Sequence, residues 1–248
     1  MTSTEAIALL EKLQAGRISS EQALRAFQAA PVADLGFARV DTHRSLRKGF
    51  PEVIYGEGKT PEQVVRIALK IIEREQRFLV TRIGVEHARA IRRRLKRAVY
   101  HESARCVTFE KVSLPKRPGF IAVLAAGTSD LPVAEEAAVT SEIMGNHVER
   151  IYDVGVAGLH RLLRRLELIQ SANVIIAVAG MEGALPSVVA GLVCRPVIAV
   201  PTSIGYGASF GGLAALLTAN TGARYLFVRS GGTIIPSPGE GPTRAVAY

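Results

Sequence analysis

The chain has 248 residues, 48% of them hydrophobic, and a formal net charge of +9. That length holds one large domain or two small ones with a sizeable core, and two cysteines, Cys106 and Cys194, leave little material for a disulfide framework. Residues 1–15 alternate charged with apolar positions, and the longest weakly polar stretch, Val174–Val193, is interrupted by Glu182, Pro186 and glycines, so the sequence predicts neither a secretory leader nor a membrane span, and a cytoplasmic protein.

Residues 3–30 predict a helical hairpin. Ile7, Leu10 and Leu13 recur at helical spacing, Gly16 ends the first helix, Ser19 or Ser20 caps the second and Pro31 closes it. Such a hairpin has too little core to stand alone and is expected to pack on a neighbouring domain or subunit. Residues 34–55 predict extended segments around a basic turn, where Arg39, Arg44, Arg47 and Lys48 either hold an anion or decorate a surface loop. Thr60 then caps a helix with Pro61 at its first position. Lys59 does not belong to a Walker loop, because Gly56 stands only three residues before it.

Residues 78–110 predict a second small α/β unit: the strand FLVTRI, a basic helix from Val85 to about Ala98, and a short strand around Ala104–Phe109. Arg89, Arg92, Arg93, Arg94, Lys96 and Arg97 fill that helix. With no interleaved aromatic residue and no nucleic-acid motif, they read as a solvated face, and no nucleic-acid partner is expected. Pro115 and Pro118 mark a linker, which makes residues 1–117 a small α+β domain headed by the hairpin.

The stretch Gly119–Asp130, GFIAVLAAGTSD, opens a different architecture. An apolar strand runs into a Gly-Thr-Ser-Asp turn and a helix, LPVAEEAAVTSEIM. Continuous apolar strands belong to parallel sheets covered by helices on both faces. The pattern repeats: HVERIYD is a strand with Gly155 and Gly158 in its exit loop, Leu159–Leu168 is a helix, and Asn173–Ala179 is a buried strand. The loop 180–186 precedes a helix Ser187–Val193, and Pro196–Val200 is a strand leading through residues 201–209 to the helix GGLAALLTA. Strands and helices alternating at this spacing predict a parallel sheet with right-handed crossovers.

Three loops should gather at one sheet edge: 127–130, 180–187 and 201–209. All are rich in Gly, Ser and Thr, so exposed N–H groups and hydroxyls suit a phosphate-bearing small molecule. Asp130 and Glu182 are their only acids. Asp130 either serves the ligand or starts the following helix. His43, His87, His101, His147 and His160 are scattered and, with the cysteines, show no metal spacing, so no metal site is expected.

At these loops the sequence resembles the LarB family, PurE-like proteins of nickel-pincer nucleotide cofactor biosynthesis. The resemblance rests on AAGTSDLPVAEEAA, DVGVAGLHRL, VAGMEGALPSVVAGLV and PVIAVPTSIGYGAS, with RSLRKGFPEVIYGEGKTPEQV and VTRIG…YHESAR in the N-terminal part, and covers residues 5–218. It implies a PurE-like, flavodoxin-like catalytic domain over 118–218. The implied activity is CO2-dependent carboxylation of nicotinic acid adenine dinucleotide at pyridinium C5, with hydrolysis of the phosphoanhydride and release of AMP. CO2 is then a co-substrate and no cofactor is tightly bound. Mg2+ would help by neutralising phosphate charge, but no dedicated ligand set is visible. Carried over to this chain, Gly127, Thr128 and Ser129, then Gly180, Met181, Gly183 and Ala184, and finally Thr202, Ser203, Gly205 and Tyr206 line the substrate site, with Glu182 and Asp130 as catalytic candidates. Substrate sites between subunits imply a homo-oligomer, an octamer or a multiple of dimers.

Two departures stand out. Where PurE enzymes of purine synthesis carry Ser-Ala-His-Arg, this chain has Val154–His160 with His160 out of register, which argues against the alternative of an aminoimidazole ribonucleotide carboxylase or mutase. Where the family has its nucleophilic cysteine, this chain has Thr218–Arg224 and no cysteine. Cys194 is expected to be a buried core thiol on the opposite sheet edge. Residues 219–248 are therefore read as an atypical, frameshifted or altered terminus, and a catalytically dead nucleotide-binding module is the remaining alternative.

Overall fold

The structure is a computed structural model describing residues 3–28, 32–41, 44–45, 49–204, 212–219 and 225–227. The chain divides into two units, Met1–Ser113 and Leu114–Tyr248.

The first unit begins with α1 (Ser3–Gln14) and α2 (Ser20–Gln28). Gly16, at φ +67°, closes α1 while Arg17 N–H donates to Lys12 O, satisfying a terminal carbonyl. Ser19 and not Ser20 is the cap: Gln22 N–H donates to Ser19 Oγ and Ser19 N–H to Gln22 Oε1. A short antiparallel pair follows, β1 (Val32–Asp34) with β2 (Arg39–Asp41). A four-stranded sheet comprises β3 (Val53–Tyr55), β4 (Arg77–Thr81), β5 (Val99–His101) and β6 (Cys106–Glu110) in the order β3-β4-β6-β5. Only β3 and β4 are parallel. Between them runs α3 (Pro61–Ile72), whose Val64, Ile67, Ala68 and Ile71 turn inward, with Phe78 stacked on Phe109 at 5.4 Å beneath.

One sequence expectation is corrected here, and one strand is added. The basic helix α4 spans Val85–Arg94, not Val85–Ala98: Leu95 leaves helical geometry and the chain turns over the buried Ala98 into β5. That strand had no sequence signal of its own; it exists because Tyr100 and His101 pair antiparallel with Val107 and Cys106. The six cations of the basic segment are exposed while Ala88 and Ile91 are buried, the arrangement of a solvated face.

The second unit is an all-parallel sheet. Its strands are β7 (Phe120–Ala125), β8 (His147–Ile151), β9 (Val174–Ala179), β10 (Val197–Pro201) and β11 (Tyr225–Phe227), in the order β8-β7-β9-β10-β11. Counted within the unit this is 2-1-3-4-5, a doubly wound order. Alternate residues of the central strands face opposite layers. Leu124 and Ala177 pack with Leu162, Ile169 and Leu185 on one face. Val123, Ala125 and Val178 pack with Ala134 and Ala138 of α5 (Leu131–Ile143) on the other. Helices on both faces explain the unbroken apolar strands, as the sequence predicts.

The segment between β8 and β9 is two helices, α6 (Leu159–Leu163) and α7 (Leu166–Ser171), in place of the single helix expected over 159–168. Arg165 N–H bonds to Leu162 O, three residues back, and tightens the turn between them. Helix α8 (Ala184–Leu192) starts three residues earlier than expected. Gly183 caps it in the left-handed region, and Pro186 fits its first turn, where a missing N–H leaves nothing unsatisfied. Helix α9 (Leu213–Ala219) follows β10. Strand β11 lies inside the segment 219–248 and pairs through its backbone with Val197–Ala199; apart from Ala219 at the end of α9, the rest of that segment, and with it the question of an altered terminus, lies outside the described residues.

Candidate functional site

In a 2-1-3-4-5 sheet the crossovers diverge between the first and third strands, here β7 and β9, and leave a crevice at their carboxyl ends. The loops after β7, β9 and β10 meet there, and backbone bonds hold each in place. Ala126 N–H donates to Val178 O (2.9 Å), Thr202 N–H to Ala179 O (3.0 Å) and Met181 N–H to Ile204 O (2.7 Å). The exit of β8 joins through Val154 N–H to Ala125 O and Gly155 N–H to Ala126 O.

One buried carboxylate lies at the centre. Asp130, 5% exposed, accepts from Gly127 N–H at 3.0 Å through Oδ2 and from the Thr202 hydroxyl at 2.7 Å through Oδ1. Thr202 is itself buried. Although Asp130 precedes α5, its side chain does not cap that helix. Gly180 is packed so closely that a Cβ would fall 2.3 Å from Ile204 O and 2.6 Å from Thr202 Oγ1. Only glycine fits there, which is the physical content of the Gly-rich signal in the sequence.

Five of the remaining predicted residues face outward, while Gly183 is buried beside Ala215. Thr128 and Ser129 are exposed on a single 3₁₀ turn, and Met181, Glu182 and Ser203 are exposed on the other two loops. Met181, at φ +53°, and Gly183, at φ +67°, are both left-handed and flank Glu182. Among the described residues the Glu182 carboxylate has neither hydrogen-bond nor ion-pair partner. Ala184 is the first residue of α8, half-buried behind the loop. Gly205 and Tyr206 lie outside the described residues.

A charged pair at this edge had no sequence signal. Arg161 of α6 bonds through Nη1 to Oδ2 of Asp153, a left-handed residue just past β8, and its Nε is buried with no acceptor among the described residues. The pair is separated by eight residues and brought together by the Gly155–Gly158 turn; a Cβ on Gly158 would fall 2.6 Å from that Nε. His160 is exposed. On the α5 side, Tyr152 donates to Glu135 at 2.9 Å, and Arg150 bridges Glu135 and Glu142. Burial, with Glu135 second, pushes the Tyr152 hydroxyl pKa up.

Neither cysteine belongs to these loops. Cys194 precedes β10, at the end opposite the carboxyl edge, but it is exposed, which corrects the expectation of a buried core thiol. It sits in the turn between α8 and β10, where no layer covers it. Cys106 is buried in β6 and its thiol donates to Ala104 O. Among the described residues no group of His, Cys, Asp and Glu could hold a metal, and no helix is long and apolar enough to cross a membrane.

A doubly wound domain with glycines, hydroxyls and an exposed carboxylate at the switch point is an α/β domain of the PurE-like, flavodoxin-like type. A family model described as LarB/PurE-like N-terminal domain matches residues 32–111, and one described as AIR carboxylase matches residues 120–222. The chain is 42% identical to an uncharacterised protein of Methanocaldococcus jannaschii over 177 residues, 68% of this chain and 69% of the relative. It is 41% identical to N5-carboxyaminoimidazole ribonucleotide mutase of the same organism over 101 residues, 40% of this chain and 59% of the relative. The chain belongs to the LarB/PurE-like family, and its second unit is of the carboxylase/mutase-related kind.

Proposed function

We propose that this chain binds nicotinic acid adenine dinucleotide at the carboxyl edge of β7, β9 and β10, and that the reaction its site is built around is C5 carboxylation of the pyridinium ring with phosphoanhydride hydrolysis to AMP. The observation that carries this is Glu182, an exposed carboxylate without a partner among the described residues, held out between two left-handed residues beside loops of amides and hydroxyls. A pyridinium ring is electron-poor and cannot attack CO2. Addition of a thiolate at C4 makes C5 an enamine carbon; C5 then bonds to CO2, a base takes the C5 proton, and expulsion of the thiolate restores aromaticity. Glu182 is suited to the proton step. Thr128, Ser129 and Ser203 offer hydroxyls to ribose and phosphate, and the Arg161 guanidinium offers a cation to the phosphoanhydride.

The thiolate is what this chain lacks. Cys194 is at the wrong end of β10, Cys106 is buried in another sheet, and the sequence contains no third cysteine. We therefore infer that dinucleotide binding and AMP release survive while carboxylation is severely reduced. The exit of β8, Val154–His160, lacks Ser-Ala-His-Arg, which favours this substrate over aminoimidazole ribonucleotide. The test is to incubate the protein with nicotinic acid adenine dinucleotide, bicarbonate and Mg2+ and to follow AMP and any mononucleotide one carboxylate heavier by mass spectrometry. AMP without the heavier product is the expected result. The absence of both dinucleotide binding and AMP release would overturn the proposal.

A further inference from the structure

Asp130 and Thr202 both read as ligand-facing residues in the sequence, yet both are buried, and their side chains are spent on each other. Each Asp130 oxygen already has a donor: Gly127 N–H on Oδ2 and the Thr202 hydroxyl on Oδ1. The Thr202 hydroxyl, together with the Ile204 carbonyl oxygen, also leaves Gly180 no room for a side chain. One buried cluster thus touches all three loops, joining residues 72 apart in sequence. Their immediate neighbours point the other way, Thr128 and Ser129 before Asp130 and Ser203 after Thr202.

We propose that Asp130 and Thr202 are positioning residues, which lock the three loops so that Thr128, Ser129, Glu182 and Ser203 face the ligand, and that neither contacts the ligand itself. The physical basis is the cost of a buried carboxylate oxygen with no donor: once Thr202 loses its hydroxyl, Oδ1 must be rehydrated or the loops must part. A proton carrier, by contrast, would need an oxygen open to the ligand. This inference rests on the reading of the site as a dinucleotide pocket only for its binding arm.

The experiment compares the full chain with Thr202→Val, Thr202→Ser, Asp130→Ala and the Asp130→Ala/Thr202→Val double variant. Two readouts are taken: hydrogen–deuterium exchange of peptides covering 126–131 and 180–183, with the β7 peptide as internal control, and affinity for nicotinic acid adenine dinucleotide. Thr202→Val should speed exchange in both loop peptides about tenfold or more while β7 stays protected, and weaken binding by a similar factor. Thr202→Ser should recover both relative to Thr202→Val, because it keeps the hydroxyl. The double variant should be no worse than Asp130→Ala alone, since the two act as one unit. Loops unchanged in Thr202→Val, a serine variant as impaired as the valine one, or additive losses in the double variant would each overturn the proposal. If the unaltered chain binds no dinucleotide, the substrate reading fails and the exchange results still decide whether the lock exists.

Discussion

At the scale of single residues, the site separates its two acids by burial: Asp130 is inside and doubly bonded, Glu182 outside and, among the described residues, unpartnered. The separation makes Glu182 the testable base. In the chain fitted with a cysteine-bearing terminus, so that the C5 nucleophile can form, Glu182→Gln keeps shape and removes basicity. Carboxylated product should fall about a hundredfold or more, with dinucleotide affinity held within about threefold. Product formation at the unaltered rate would remove Glu182 from the proton step. Tyr152 supports a second prediction, on stability. Burial and its bond to Glu135 raise its pKa in the fold. A raised folded pKa gives stability that is whole below the unfolded tyrosine value of about 10 and is lost as pH climbs from there toward the folded value. Tyr152→Phe, which cannot ionise, should cost about 1 kcal/mol at pH 8 for the lost hydrogen bond. Above pH 10 that deficit should shrink, as denaturant midpoints of the two proteins at pH 8 and pH 10.5 would show; a constant gap would mean that ionisation of Tyr152 is not coupled to folding.

At the scale of elements, local chemistry decided what could be read in advance. Thr60 is the clearest case: its hydroxyl accepts from Gln63 N–H at 3.2 Å while Gln63 Oε1 accepts from Thr60 N–H at 2.9 Å, with Pro61 in the first turn. Thr60→Ala should destabilise the first unit by about 1 kcal/mol, and Thr60→Ser by much less, in urea unfolding followed by far-UV circular dichroism. An alanine variant as stable as the parent would mean that α3 is held by packing alone. The same kind of signal, a short spacing with a bonding reason, revealed the end of α1 at Gly16, the apolar strands β7 and β9 and the Gly-rich loops. Features made by distant partners were not legible. Strand β5 depends on pairing with β6, the break at Arg164 and Arg165 falls on two good helix formers, and the Asp130–Thr202 bond joins two separate βα loops. The loops that meet at the carboxyl edge could thus be listed from sequence, whereas the Asp130–Thr202 bond and the Asp153–Arg161 pair required the fold.

At the scale of the whole molecule, each unit closes a core of its own, and the parallel sheet of the second fixes which end of every strand can do chemistry. Cys194 stands before β10 and Thr202 just after it. Five strand residues at about 3.3 Å each put roughly 16 Å between the two ends, far beyond the reach of a thiol. Its exposure makes Cys194 chemically accessible without making it useful to a ring bound at the carboxyl edge. Cys194→Ser should therefore leave AMP release, and any trace of carboxylated product, within about twofold of the unaltered chain, while abolishing labelling by a thiol-specific reagent under native conditions. The labelling arm checks that the exposed thiol is the one removed. Loss of carboxylated product in this variant would mean that Cys194 reaches a ring after all. Within one subunit the strand length forbids that, so the site would have to be completed by Cys194 of a second copy, and mixing Cys194→Ser with Glu182→Gln protein would then restore turnover by pairing one intact half-site from each.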